Sequence, residues 1–178
     1  MRSRPITCIE RSGAALAALL ALATPSLAAA SDADIAREAQ DRLLINDLMW
    51  NYVRAIDTLN EDAYPATFTP DGVFTAGAKP VRGQAALRQM VTDLKKGRAD
   101  REAKAAPKQP PTHHIITNVH IAFADKDHAR MDSYGMTVCP GAPNAQPPRL
   151  AAAGRGIDQL MRVNGKWLIQ SRDVAPQD

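Results

Sequence analysis

From residue 113 onward the chain holds four strand-like runs, at 113–124, 128–139, 149–163 and 166–174, with short breaks between them. Asp125-Lys126-Asp127 and Asn164-Gly165 are tight-turn signals, and Asn-Gly supplies the two positive-φ residues of a two-residue hairpin. Residues 140–148, with four prolines, make one longer loop. Strands joined by turns this short run antiparallel, because a parallel neighbour needs a crossover of roughly a dozen residues. The back half of the chain is therefore a meander.

Ahead of it the periodicity is helical. Ile45, Leu48, Met49, Tyr52, Val53 and Ile56 recur at three- and four-residue steps, so 35–59 reads as one amphipathic helix. Ser31 or Asp32 can cap its start, and Asp34 and Glu38 suit its positive end. Asn60 to Phe68 reads as a second, short helix, and Thr69-Pro70-Asp71-Gly72 as a turn. Residues 73–76 and 80–82 form a short hairpin about Gly77. Gln84 to Lys96 is a third helix with Leu87, Met90, Val91 and Leu94 inward, and the polar, proline-bearing stretch 97–111 reads as a mobile loop. This order predicts an α+β fold: a strongly curved antiparallel sheet wrapping a long helix, with two further helices and a cavity between the layers.

The net charge of +3 belongs largely to the first thirty residues. Arg2, Arg4 and Arg11 precede or open the apolar run 13–23, and small residues offer cleavage after Ala28 or Ala30. Residues 1–30 thus read as a secretory signal peptide, too short in its apolar core to span a bilayer, and 31–178 as one exported domain, periplasmic or secreted. Without the leader's three Arg and one Glu the formal charge is +1, which gives no case for nucleic acid or a membrane surface as partner. Only Cys139 remains, so no intrachain disulfide can form. No phosphate loop, dinucleotide fingerprint or metal-type cysteine spacing is present, and no cofactor is expected.

Three side chains invite proton chemistry. Asp57 closes the long helix beside the apolar positions Val53 and Ile56, and Tyr52 lies on the buried stripe. His113 and His114 are adjacent on a strand, so they face opposite sides and only one can enter a pocket. His114 and His120 would share a face but lie about 20 Å apart along an extended strand, which argues against a metal site. If Asp125-Lys126-Asp127 is a three-residue loop, Asp132 faces His120, Tyr134 faces Asn118 and Val138 faces His114, giving a polar wall on one sheet face. Asn118 is then a pocket group, Trp167 a core residue, and Asp158 and Arg155 belong to the solvent face or a dimer contact.

The spacing Tyr52-x4-Asp57, Phe68-Thr-Pro-Asp-Gly72, His113-His-Ile-Ile-Thr-Asn118 and Gly154-Arg-Gly-Ile-Asp158 with Asn164-Gly-Lys-Trp167 resembles the SnoaL-like branch of the nuclear transport factor 2-like superfamily over nearly all of 35–174. The resemblance implies a cone, helices closing the curved sheet, and pairing of two copies through that sheet. It implies no single chemistry, since the cone hosts dehydratases, isomerases, cyclases, hydrolases and members without known catalysis. The scytalone dehydratase pattern matches at Asp57 and His114 but meets Ile56 in place of its Tyr, and Gly154 and Gly156 in place of its Ser and Asn. The bile-acid 7α-dehydratase pattern maps onto Tyr52, Asp57, His114, Asp132 and Arg172, with a shorter His-to-Asp spacing here. Ketosteroid isomerase fits worse, because Val73–Ala76 carries no carboxylate.

The resulting expectation is a cofactor-free lyase or isomerase acting on a small, largely apolar hydroxylated or ketonic molecule. Asp57, His114 and Tyr52 would be catalytic, with Asn118, Asp132 and Arg172 binding substrate. The alternatives are a non-catalytic binder using the same cavity, or a partner-binding domain whose cone is filled by its own side chains.

Overall fold

The computed structural model describes residues 31–104, 111–141 and 147–176; the expected signal peptide at 1–30 lies outside the described residues. Helix α1 (Asp32–Asp57) starts at Ser31, whose hydroxyl oxygen accepts the Asp34 N–H, and it ends where the Thr58 hydroxyl donates to the Arg54 carbonyl. Its stripe of Ile45, Leu48, Met49, Tyr52, Ala55 and Ile56 is buried. The second helix, α2, is only Ala63–Ala66, because the Asn60 side chain accepts the Asp62 and Ala63 N–H groups and holds 60–62 as a turn.

Strand β1 (Phe68–Thr75) contains the Thr69–Gly72 segment expected as a turn. Its turn chemistry is expressed inside the strand: between Phe68↔Ile169 and Val73↔Ser171 the chain bulges off its partner, and Pro70 needs no ladder partner for a missing N–H. β2 (Val81–Arg82) folds back on β1, and Gly77 at φ 104° makes the connection. Helix α3 (Gln84–Lys104) corrects the loop expected at 97–111, of which 105–110 lie outside the described residues. One helical glycine, Gly97, costs about 1 kcal/mol relative to alanine. Good helix formers follow it, and the Arg98–Glu102 pair at 2.8 Å adds an i,i+4 contact.

The remaining strands are β3 (His113–Phe123), β4 (His128–Cys139), β5 (Arg149–Val163) and β6 (Lys166–Asp173). The six-stranded sheet has the order β2-β1-β6-β5-β4-β3 and is antiparallel except at the β1–β6 pair. Register shifts interrupt β3–β4, β4–β5 and β5–β6, and each such bulge increases local twist, which curves the sheet around α1. Ile45, Tyr64, Phe68, Leu87, Val91, Met131, Leu160 and Ile169 form the inaccessible centre of the core. Trp167 is buried there, donating its indole N–H to Asp41 at 3.1 Å.

The β3–β4 hairpin carries the most consequential detail. Its turn has three residues, with Ala124 opposite His128, and Asp132 faces His120 as that register requires. Beyond His120, however, the register slips at Asn118–Val119, so Tyr134 opposes Thr117 and Val138 opposes His113. Asn118 takes φ 52°, a left-handed conformation that asparagine tolerates better than most residues. The extra residue inverts the alternation. Ile121 and Phe123 pack inward on one side of the bulge; His114 and Ile116 do so on the other.

Candidate functional site

Between α1, α3, β1 and the inner face of the sheet lies an open cavity of about 470 Å³. It exists because the inward positions on neighbouring strands are nearly bare: Gly135 on β4, and Ala152, Gly154 and Gly156 on β5. A Cβ added at Gly135 would meet nothing within 4 Å, and one at Gly154 only the Val174 carbonyl at 3.6 Å. The opposite wall is apolar and aromatic, with Tyr52, Ile56, Leu59, Tyr64, Phe74 and Met90. Volume and lining both suit a small organic ligand.

At one side of the cavity the last residue of α1 meets the first inward residue of β3. Asp57 Oδ1 accepts the backbone N–H of His114 at 3.0 Å and lies 2.7 Å from its Nδ1. The Asp57 side chain is 8% exposed, while the imidazole is about a third exposed. With the carboxylate on Nδ1, the neutral ring carries its proton there and its lone pair on Nε2. That is the geometry of an oriented base. His113 also reaches Asp57, its Nδ1 3.6 Å from Oδ2, and stays half-exposed.

Tyr52 is buried and lines the cavity, as does Arg172. The guanidinium lies 4.5 Å from the Tyr52 ring centre, and its Nη1 donates to both oxygens of Asp158, at 2.6 and 2.7 Å. Asp158 is fully inaccessible, which corrects its assignment to the solvent face: it follows Gly154 and Gly156 on the inward set of β5. Burial pushes its pKa up to about 6, against the pull of Arg172.

Asn118 and Asp132 do not reach the cavity. Both expectations assumed an unbroken alternation, and the bulge turns them out. Asn118 is exposed and its side-chain oxygen accepts the Thr117 hydroxyl; its role is the backbone turn itself. Asp132 sits on the outer face, held by Arg130 at 2.7 and 2.8 Å and by Arg155 at 3.4 Å. The Arg130 hydrogen bonds lower its pKa to about 2. Arg155, expected on the solvent face or at a dimer contact, meets Asp132 on that outer face at 3.4 Å.

Tyr64 was read from sequence only as part of a short helix. It is inaccessible and lines the cavity, and its ring lies 5.3 Å from that of Tyr52. Desolvation and the neighbouring Tyr52 hold its pKa well above the usual phenol range. The inward glycines were a readable signal, since Gly135, Gly154 and Gly156 interrupt otherwise strand-like runs. Among the described residues no group of three or more His, Cys, Asp or Glu is gathered as a metal would require.

A family model described as SnoaL-like domain matches residues 37–173. No curated protein matches the chain. Among solved structures, it is similar to a nuclear transport factor 2-like protein with a cystatin-like fold from Novosphingobium aromaticivorans, at TM-score 0.66 and 15% identity, covering 83% of this chain and 91% of that one. A protein of the same organism provisionally named a scytalone dehydratase gives TM-score 0.62 and 17% identity over 78% and 85% of the two chains. Another from that organism, provisionally named an aromatic ring hydroxylase, gives TM-score 0.61 and 26% identity over 77% and 89%.

Proposed function

The chain belongs to the SnoaL-like domain family, and on that premise we propose that it is a cofactor-independent lyase or isomerase acting on a small, largely apolar hydroxylated or ketonic molecule. The observation that carries this reading is the 2.7 Å contact of His114 Nδ1 with Asp57 on the wall of an open, mostly apolar cavity. His114 Nε2 takes a proton from the carbon next to a ketone. Asp57 stabilises the imidazolium so formed, and the Tyr52 hydroxyl donates to the enolate oxygen. In a dehydration the imidazolium returns that proton to a β-hydroxyl, which leaves as water, giving the enone; in an isomerisation the proton returns to another carbon. The leader-like residues 1–30 support an exported location for this reaction.

A binder without turnover would use the same cavity, and Gly154 and Gly156, where scytalone dehydratase has side chains, favour that second reading. Proton exchange separates the two without a known product. Incubating the protein in D2O with a panel of cyclic ketones and following deuterium uptake by mass spectrometry should reveal exchange that His114→Ala slows by about 10²–10⁴-fold. Circular dichroism should show the variant folded. Exchange at equal rates in both proteins would leave only the binder.

A further inference from the structure

The residues that α3 turns toward the cavity are Met90, Leu94, Arg98 and Arg101. Steps of four, four and three residues put them on one helical stripe, so the same face is apolar at depth and cationic toward the helix end. Leu94 marks the transition; it is 44% exposed although it lines the cavity. Arg98 is partly buried, with Nε on Glu102 at 2.8 Å. Arg101 has no ion pair or hydrogen bond among the described residues.

The other cavity-lining charges are balanced. Arg172 is held by Asp158, Arg155 meets Asp132, and Asp57 faces the two histidines. Arg98 shares its charge with Glu102, and of the cavity-lining arginines Arg101 alone meets no carboxylate among the described residues. A basic last turn is favourable to any helix dipole, and that would account for the charge of Arg101 and Lys104. It does not account for Arg98 and Arg101 continuing the cavity-facing stripe.

We propose that Arg98 and Arg101 form an anion subsite at the cavity mouth, and that the ligand is an amphipathic organic acid. Its apolar body lies against the glycine-lined sheet and Met90, and its carboxylate or sulfonate meets the two guanidiniums. This rests on the reading of the cavity as a ligand site, and not on proton transfer by His114.

Two fluorescent probes that share one ring system test it: 8-anilinonaphthalene-1-sulfonate, an anion, and N-phenyl-1-naphthylamine, its neutral counterpart. In the purified protein the double substitution Arg98→Gln, Arg101→Gln should weaken the sulfonate about three- to tenfold, as expected for two solvent-exposed charge contacts. It should leave the neutral probe within about twofold, inside that same energy scale. Raising salt to about 0.5 M should weaken the sulfonate in the unsubstituted protein and much less in the double variant. Gly135→Leu, which projects into the void, should weaken both probes. Sulfonate affinity unchanged in the double variant, or unchanged in Gly135→Leu, overturns the proposal. Absence of ketone–deuterium exchange, with these probe results intact, removes the catalytic reading and keeps the subsite.

Discussion

Asp57 is the residue on which the site turns. One of its oxygens accepts two contacts from His114, main-chain and ring, and the other faces His113 at 3.6 Å. The main-chain bond fixes where β3 begins relative to the end of α1, and the ring contact fixes the tautomer of the base. Asp57→Asn should separate these roles. The amide oxygen can still accept the His114 N–H, so the fold is retained, but a neutral amide neither stabilises an imidazolium nor holds the proton on Nδ1 as firmly. We expect ketone–deuterium exchange to fall about 10²–10⁴-fold, with thermal unfolding shifted far less than a lost buried charge pair would require. Tyr52, Asp57 and the pair of histidines were legible as residues, because a helix end and a strand start are marked in the sequence. The choice between His113 and His114 was not: strict alternation gives both an equal claim, and the family pattern alone selected His114.

What decides it is an element, the bulge at Asn118–Val119. Inward-facing Ile121 would, by alternation, put Val119, Thr117, Ile115 and His113 inside; the slipped register puts Ile116 and His114 there instead. Nothing in His113–Phe123 announces the slip, since no glycine interrupts it and asparagine occurs in regular strands too. The same blindness displaced Asn118 and Asp132 from the expected pocket wall. At 97–104 the error had a different cause: polar composition and the prolines further on were given more weight than the helix-forming residues that follow Gly97. The bulge can be tested through its backbone. Asn118→Gly keeps the left-handed conformation and should change stability little, whereas Asn118→Val should destabilise by about 1–2 kcal/mol, the cost of that conformation for a residue with a branched Cβ. Urea midpoints report the first effect. Loss of exchange activity in the valine variant, beyond what its stability explains, would report a re-aimed His114.

At the scale of the whole molecule, the helix-then-meander order and the hollow between layers followed from periodicity and turn chemistry, and they hold because the layers are tied at both ends. Asp57 joins α1 to β3 at one end, Trp167 joins β6 to Asp41 toward the other, and between them Arg172 joins β6 to Met49 and Tyr52 while pairing with Asp158 on β5. That buried pair gives the protein an unusual pH dependence. The Asp158 pKa lies above its ordinary value of 3.8, at about 6, so the folded chain binds this proton more tightly than the unfolded chain. Its effect on stability is therefore favourable as pH falls from about 6 toward about 4. Asp132 acts in the reverse sense: depressed to about 2 by Arg130, it stabilises above about pH 4 and loses that contribution as pH falls further. Asp34 and Asp125, also lowered by local hydrogen bonds, add to this acid-side loss. The urea midpoint should accordingly rise from pH 7 to about pH 5 and drop below about pH 4. Asp158→Asn, which is neutral at every pH, should abolish the rise while leaving the acid-side fall in place. A midpoint that declines steadily from pH 7 in the unsubstituted protein would mean that the pull of Arg172 outweighs burial at Asp158.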